Sequence, residues 1–224
     1  MNKKSIAIIV AHPDDEVLAC GGTSSRLSKE GHTVNLLVLS TGMMSRGDFN
    51  ETDLKQLQFE ALEAAKFLGI GNIEFGMFPD NQMDTVPLLN VVKKVEEFVA
   101  KYQPDMIFTH HKGDINVDHL VTYKAVMTAT RPLPETKEIQ ILASEVLSSS
   151  EFGSADQRIV PNVYFRLSRE DIQNSMDALA CYRTEIRLWP HPRSTKALEV
   201  NSLLRGSECG VEYAEAFEVM RFIY

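Results

Sequence analysis

"IAIIVAHPDDEVLACGG", residues 6–22, places three consecutive acids directly after a run of apolar residues. The apolar run at 6–10 is typical of a strand that is buried on both faces, as in a parallel sheet. Like charges packed together at the end of such a strand are unfavourable unless a cation or a catalytic task compensates. The cluster that needs this explanation consists of His12, Asp14, Asp15 and Glu16.

Strand and helix patterns alternate along the first two thirds of the chain, which predicts an α/β fold with a mainly parallel sheet flanked by helices. Strands are predicted at 6–10, 33–42 and 105–111, a short strand and loop at 72–81, and helices at 17–30, 53–68, 87–102 and 118–130. The helix at 53–68 has Asp53 as its expected N-cap.

The alternation weakens after 139–147. A strand at 161–168, a helix at 168–182, a proline-rich loop at 189–194, a helix ending near 206 and a strand at 215–224 are still expected. We therefore predict a single Rossmann-like domain over 1–224. Its core covers about 1–147, and the C-terminal part, 148–224, completes a substrate crevice.

Composition excludes several classes of protein. A chain of 224 residues suits one large domain, and its net charge of −8 comes without a basic stripe, which argues against nucleic-acid binding. Three scattered cysteines do not indicate a disulfide framework or a cysteine-rich zinc site. No apolar run approaches the roughly 20 residues of a membrane span, so we expect a cytoplasmic protein without a stable membrane anchor.

A second polar cluster follows the fourth predicted strand. The segment "THHKGDINVDH", residues 109–119, carries three carboxylate or amide side chains and three histidines. Strands 1 and 4 are neighbours in the commonest doubly wound sheet, and ligands bind beyond the carboxyl ends of strands at the switch in strand order. The two clusters are therefore expected to meet. Mixed nitrogen and oxygen ligands of this kind suit zinc.

The motifs that follow strands 1 and 4 are similar to those of a known protein family. "AHPDDE" after strand 1, with "GDINVDH" after strand 4, resembles the PIG-L/LmbE-like family of zinc-dependent N-acetylglucosaminyl de-N-acetylases. "LSTGMMSRGD", "FPDN", "YRTEIRLWPHPRS" and "RGSECGVEYAEAF" are similar to later segments of that family, so the resemblance covers most of the chain. It implies hydrolysis of an N-acetylated amino sugar to acetate and a free amine, with one Zn²⁺ per chain, although other divalent ions also suit these ligands.

The resemblance also implies roles for particular residues. His12, Asp15 and His119 would be the metal ligands, and Asp14 the general base that takes a proton from the attacking water and returns it to the leaving amine. Many members of the family carry a histidine where this chain has Asn116. An amide can still donate to an oxyanion but supplies neither charge nor proton, so the acid role falls on Asp14, or on His111 or His191 if either reaches the site.

Two further acids are expected to support the site without binding the metal. Glu16 fits the first turn of the helix or a hydrogen bond to a site residue, and Asp118 could orient a neighbouring site group in the same way.

Other polar side chains follow the same strand ends and are candidates for substrate contacts. Arg46 suits a bidentate grip on a phosphate or on sugar hydroxyls, although a solvated arginine explains it as well. Hydrogen bonds to sugar hydroxyls and ordinary turn chemistry explain Asp80 and Asn81 equally well. His111 lies at the end of a predicted strand, and His191 lies between two prolines. The predicted substrate-binding residues are Arg46, Asp80, Asn81, His111 and His191.

Two other functions remain open from the sequence. A non-catalytic module that binds an N-acetyl sugar or a nucleotide sugar would use the same crevice without turnover. A phosphoacceptor receiver domain also keeps paired acids after strand 1, but its magnesium site does not use histidine. The expected partner is a small N-acetylated amino sugar, and the resemblance makes a homo-oligomer plausible.

Overall fold

The computed structural model describes residues 3–42 and 51–223, without the side chain of Glu51. Seven strands and six α-helices lie in these ranges. The strands are β1 (Ser5–Val10), β2 (Thr33–Ser40), β3 (Ile70–Phe78), β4 (Met106–His110), β5 (Gln140–Ser144), β6 (Val163–Leu167) and β7 (Tyr213–Arg221). The helices are α1 (Asp15–Lys29), α2 (Glu51–Leu68), α3 (Leu88–Tyr102), α4 (Val117–Ala129), α5 (Arg169–Cys181) and α6 (Thr195–Cys209).

The strands form one mixed sheet in the order β3-β2-β1-β4-β5-β7-β6. The first five strands are parallel, and β7 runs antiparallel to both of its neighbours. The predicted single-domain α/β fold with a mainly parallel sheet is confirmed. The order changes direction at β1, whose neighbours are β2 and β4, and this is the crevice position that the sequence predicts.

Strand β1 is buried on both faces because helices cover both sides of the sheet. Ile6, Ile8 and Val10 pack in the cluster that includes α1, α2 and α5, whereas Ala7 and Ile9 pack in the cluster with α3 and α4. Among the described residues, no helix combines the length and the apolar character needed to cross a bilayer.

Three predicted helix ends differ from the structure by two residues or more. Helix α1 begins at Asp15, two residues early, because Asp14 takes a left-handed conformation with φ 97° and starts the helix itself. Helix α2 begins at Glu51, so Asp53 lies inside the helix and does not cap it. Helix α6 continues to Cys209, because Gly206 keeps helical geometry and Gly210, with φ 78°, ends the helix.

Candidate metal centre

The two polar clusters meet beyond the carboxyl ends of β1 and β4. These strands are paired in parallel, with Ile9 opposite Thr109, so the segments that follow them leave the same edge of the sheet. His12 lies in the loop after β1, and Asp15 begins α1. His119 lies in the first turn of α4, which follows β4. Residues more than a hundred positions apart are thereby brought into contact.

Three atoms from these residues form a nearly regular triangle. Nδ1 of His12 lies 3.2 Å from Oδ2 of Asp15, and Nε2 of His119 lies 3.2 Å from the same oxygen. The two ring nitrogens are 3.3 Å apart. Ligand atoms in a tetrahedral zinc site, with bonds of about 2.0–2.1 Å, are separated by about 3.3–3.4 Å. Two nitrogens and one oxygen at this spacing therefore fit one face of a zinc coordination sphere.

The ring of His12 is oriented by a carboxylate on its other side. Nε2 of His12 lies 3.0 Å from Oδ2 of Asp118 and 3.4 Å from Oδ1 of Asp80. Asp118 is itself fixed, since its oxygens accept hydrogen bonds from the backbone N–H groups of Asn81 and Met83. A metal-binding histidine commonly gives its second nitrogen to such a carboxylate, which fixes the orientation of the ring.

His119 has an ion-pair contact with Asp114 on its other side. Its Nδ1 lies 3.2 Å from Oδ2 of Asp114, which leaves Nε2 directed at Asp15. The hydroxyl groups of Ser149 and Ser150 both donate to Asp114. Burial by itself would raise the pKa of Asp114, but these hydrogen bonds and His119 hold that pKa below its usual range.

His110 supports the same ring from one face. Its imidazole stacks on that of His119, with ring centroids 3.8 Å apart and planes inclined by 9°. Nε2 of His110 accepts a hydrogen bond from the backbone N–H of Ala11. Complete burial lowers the pKa of His110 to about 3, so this histidine is a neutral packing partner.

The charges in the triangle favour a cation. Burial alone would lower the pKa of His12, but its contacts with Asp118 and Asp15 outweigh burial and raise that pKa to about 10. The pKa of His119 is raised to about 8 because Asp15 and Asp114 likewise outweigh burial. Burial would raise the pKa of Asp15, yet the two imidazoles hold it well below its usual range. A divalent ion can replace the protons that compensate these carboxylates.

Asp14 differs from Asp15 in its surroundings and in the direction in which its pKa is shifted. Its φ of 97° is strained for a residue with a side chain, and such strain is concentrated at functional sites. The carboxylate is buried, and its Oδ2 accepts no hydrogen bond from the described part of the chain. Burial raises the pKa of Asp14 well above its usual range, and Arg193 opposes that rise. A buried acceptor without a donor suits a group that receives a proton.

Glu16 supports the turn that carries Asp14. Its Oε2 accepts a hydrogen bond from the backbone N–H of Asp14, and its Oε1 accepts one from the hydroxyl of Tyr182 at 2.5 Å. Burial raises the pKa of Glu16 to about 7. Through these two contacts Glu16 links the backbone of Asp14 to Tyr182.

Several predicted residues have contacts that bear on their proposed roles. Asn116 caps α4 through its side-chain oxygen, and its Nδ2 donates to Oδ1 of Asn81. His111 is tied to its own loop and to β7, because Nδ1 accepts from the N–H of Gly113 and Nε2 lies 3.3 Å from Glu218.

The other predicted contacts differ in how near they lie to the triangle. Asp80 is buried beside His12, whereas His191 is exposed and accepts from the backbone N–H of Arg193. Arg46 lies outside the described residues.

Four residues in or beside the site have no role that the sequence patterns predict. Asp114 was visible inside the second polar cluster, but the serines that fix it follow β5 and have no recognisable motif. Arg193 stands in "WPHPRS", where His191 was the residue singled out. The four are Asp114, Tyr182, Glu185 and Arg193.

A protein-family model and several known proteins match this chain. The family model described as "PIG-L: GlcNAc-PI de-N-acetylase" matches residues 7–130, which contain the whole triangle. The "Uncharacterized deacetylase YaiS" of Escherichia coli is 30% identical over 138 residues, covering 59% of this chain and 71% of the relative. A "Probable N-acetyl-alpha-D-glucosaminyl L-malate deacetylase 2" of Bacillus cereus is 23% identical over 190 residues, covering 82% of this chain and 84% of that protein.

Solved structures share the fold across almost the whole chain. N,N'-diacetylchitobiose deacetylase from Pyrococcus horikoshii superimposes with a TM-score of 0.79 at 21% identity, covering 98% of this chain and 84% of that one. GalB, the 4-carboxy-2-hydroxymuconate hydratase from Pseudomonas putida, gives 0.77 at 18% identity, covering 99% and 98%. One fold thus serves a deacetylase and a hydratase, so the reaction has to be argued from residues in the site.

Proposed function

The chain belongs to the PIG-L family, and we propose that it is a zinc-dependent hydrolase that removes the acetyl group from an N-acetylated amino sugar. Deacetylation is the activity that the family and the named relatives support. The observation that carries the proposal is the triangle of His12, Asp15 and His119, with an unbonded carboxylate oxygen of Asp14 beside it.

His12, Asp15 and His119 would hold the metal. When bound, a zinc ion at this position supplies a Lewis acid that polarises an amide carbonyl and lowers the pKa of water. Asp118 and Asp114 keep the two imidazoles in the orientation that binding requires. The proposal also includes other divalent ions, since this ligand set does not select zinc alone.

Asp14 would act as the general base and then as the general acid. Its unbonded Oδ2 accepts a proton from the water that attacks the acetamide carbonyl carbon. The same proton passes to the amine nitrogen as the carbon–nitrogen bond breaks, so that acetate and a free amine leave. A carboxyl group whose pKa is raised by burial is suited to carrying a proton between these two steps.

Asn116 would donate a hydrogen bond to the oxygen that becomes negatively charged. An amide NH₂ group carries two hydrogens, and the bond to Asn81 uses one of them. Because this donor is neutral, the proton for the leaving group is assigned to Asp14. Contacts to the sugar are proposed for Arg46, Asp80, Asn81, His111 and His191.

Acetate release from a panel of N-acetyl sugars tests this function. The panel contains free N-acetylglucosamine, its malate glycoside, aryl glycosides and an N-acetylated disaccharide, each incubated with zinc-loaded protein. We expect acetate from at least one compound, and a product lighter by one acetyl group. Asp14→Asn, with its zinc content measured, should keep the metal and lose acetate release; full activity in this variant would exclude the role of Asp14.

A non-catalytic sugar-binding module is the alternative. It predicts that a panel member binds to the zinc-loaded protein and is recovered with unchanged mass. The same incubation therefore separates the two functions, provided that binding is measured in parallel by calorimetry.

A further inference from the structure

Arg193 reaches the reactive carboxylate from a distant part of the chain. It lies in the loop between α5 and α6, and its Nη1 is 3.4 Å from Oδ2 of Asp14. This is an ion-pair distance, but Oδ2 of Asp14 is still without a hydrogen-bond donor in the described chain. The guanidinium therefore attracts the carboxylate while leaving its lone pairs open.

The guanidinium is itself held on two other sides. Nη1 donates to Oε2 of Glu185 at 2.8 Å, and Nε donates to the hydroxyl of Ser148 at 2.7 Å. Glu185 is buried, so its charge is directed at the arginine and not dispersed in solvent. A planar fork with several donors can satisfy such a set of acceptors in one fixed geometry, which an ammonium group cannot do.

The backbone around Arg193 is equally constrained. Its N–H donates to Nδ1 of His191, and its carbonyl accepts from the N–H of Arg187. The next residue, Ser194, caps α6 through its side chain. The position of the guanidinium is thus set by the fold and not by an extended, freely rotating side chain.

The positive charge of Arg193 lies beside a carboxylate that is surrounded by other acids. Asp14 has acidic neighbours, including Asp15 and Glu16, and Asn116 contributes a neutral side chain. The guanidinium of Arg193 attracts the carboxylate of Asp14 and opposes the repulsion from these acids. We propose that Arg193, anchored by Glu185 and Ser148, is a positioning residue that holds the carboxylate of Asp14 toward the reacting centre. This inference rests on the proposed deacetylase function.

Steady-state kinetics of Arg193→Ala test the proposal, using the substrate identified by acetate release. Misplacing a reacting group by about 1 Å can reduce the rate roughly 100-fold. We expect kcat to fall by that order with KM within about threefold, because Arg193 acts on the base and not on the sugar. Arg193→Lys, which keeps the charge but loses the fork, should lie between the wild type and Arg193→Ala.

Added guanidinium provides a measurement that a merely structural role would not affect. At concentrations well below those that unfold the protein, it should restore part of kcat in Arg193→Ala, in a saturable manner, and leave the wild type unchanged. Arg183→Ala is the matched control, since Arg183 lies in the same loop between α5 and α6 and is exposed. It should keep full activity and show no response to guanidinium.

Each outcome decides between distinct possibilities. If the wild type releases acetate and Arg193→Ala does so at an equal kcat, the positioning role is excluded while the deacetylase function stands. A higher KM at unchanged kcat would also exclude it, because it would make Arg193 a substrate contact. If Arg193→Ala does not fold, Glu185→Gln keeps the arginine but weakens its anchor, and a lower kcat at unchanged KM and zinc content is then expected. Unchanged kcat in that variant would overturn the proposal.

Discussion

Nδ1 of His119 lies 3.2 Å from Oδ2 of Asp114, while Nε2 of the same ring faces Asp15. The imidazole is therefore fixed between a carboxylate that orients it and a carboxylate that shares its proposed metal. Because two serines also hold Asp114, the ring has little freedom to turn away. The orientation of His119 in the candidate metal centre thus depends on Asp114, which does not belong to the triangle.

Asp114→Asn should weaken zinc binding about 10- to 100-fold, the usual effect of removing a carboxylate that orients a ligand histidine. The amide is close in size but carries no charge to stabilise the ring. Competition with a chromophoric chelator measures the affinity. Asp177→Asn is the control, because Asp177 lies on α5 and accepts a bond from Gln173, away from the site. Equal zinc affinity in Asp114→Asn and the wild type would contradict this role.

Zinc binding should release protons, with a number that depends on pH. The pKa of His12 is raised to about 10 and that of His119 to about 8, so both rings are protonated at pH 7 in the metal-free protein. Both ligand nitrogens must be deprotonated to bind zinc, so affinity rises with pH. Calorimetry in buffers of different ionisation enthalpy should count about two protons at pH 7 and about one at pH 9. Release of less than one proton at pH 7 would contradict these protonation states.

The fold could be predicted from the sequence because the strand and helix patterns are local, whereas the choice of His12, Asp15 and His119 as metal ligands came from the family resemblance. A buried strand followed by acids, and a second cluster after the fourth strand, place His12 and His119 at one edge once β1 and β4 are paired. The position of Arg193 depends instead on the course of a proline-rich loop that no periodicity encodes. Asp114 could be seen in the sequence, but its role depends on contacts made by Ser149 and Ser150.

The break within α1 gives a prediction about stability. Cys20 departs from helical geometry, with φ −157°, and the freed N–H groups of Gly22 and Thr23 donate to the carboxylate of Glu215 on β7. Burial raises the pKa of Glu215 from 4.5 to about 7, although the same hydrogen bonds oppose the rise. The folded protein therefore binds this proton more tightly than the unfolded chain does.

Glu215→Gln should consequently change how stability depends on pH. A carboxyl pKa that is raised in the folded state makes the free energy of unfolding fall as pH rises from about 4.5 to about 7. The contribution of Glu215 to this fall in the free energy of unfolding is at most about 3 kcal/mol. Urea unfolding at several pH values should show a shallower decline in Glu215→Gln than in the wild type. A steeper decline in the variant would mean that the two backbone donors outweigh burial.

Gly113 offers a test of how the two loops around Asp114 fit together. A Cβ atom built on Gly113 would lie 1.7 Å from the carbonyl oxygen of Gln157, a contact that the backbone must move to avoid. Gly153 approaches from the same facing segment, since its own Cβ would lie 2.5 Å from the carbonyl oxygen of Gly113. The segment that carries Ser149 and Ser150 is therefore in backbone contact with the loop that carries Asp114.

Gly113→Ala should push these segments apart and displace Asp114 from its serine partners. Overpacking of this kind costs about 1–3 kcal/mol of stability, and zinc affinity should fall in the same direction as in Asp114→Asn. Gly71→Ala is the matched control, because its Cβ would meet the carbonyl oxygen of Val34 at an ordinary 3.8 Å. Urea unfolding and chelator competition on both variants give the two quantities. If Gly113→Ala lost stability but bound zinc as the wild type does, the facing segment would not be needed to hold Asp114 in place, and the geometry of the centre would depend on α4 and β1 alone.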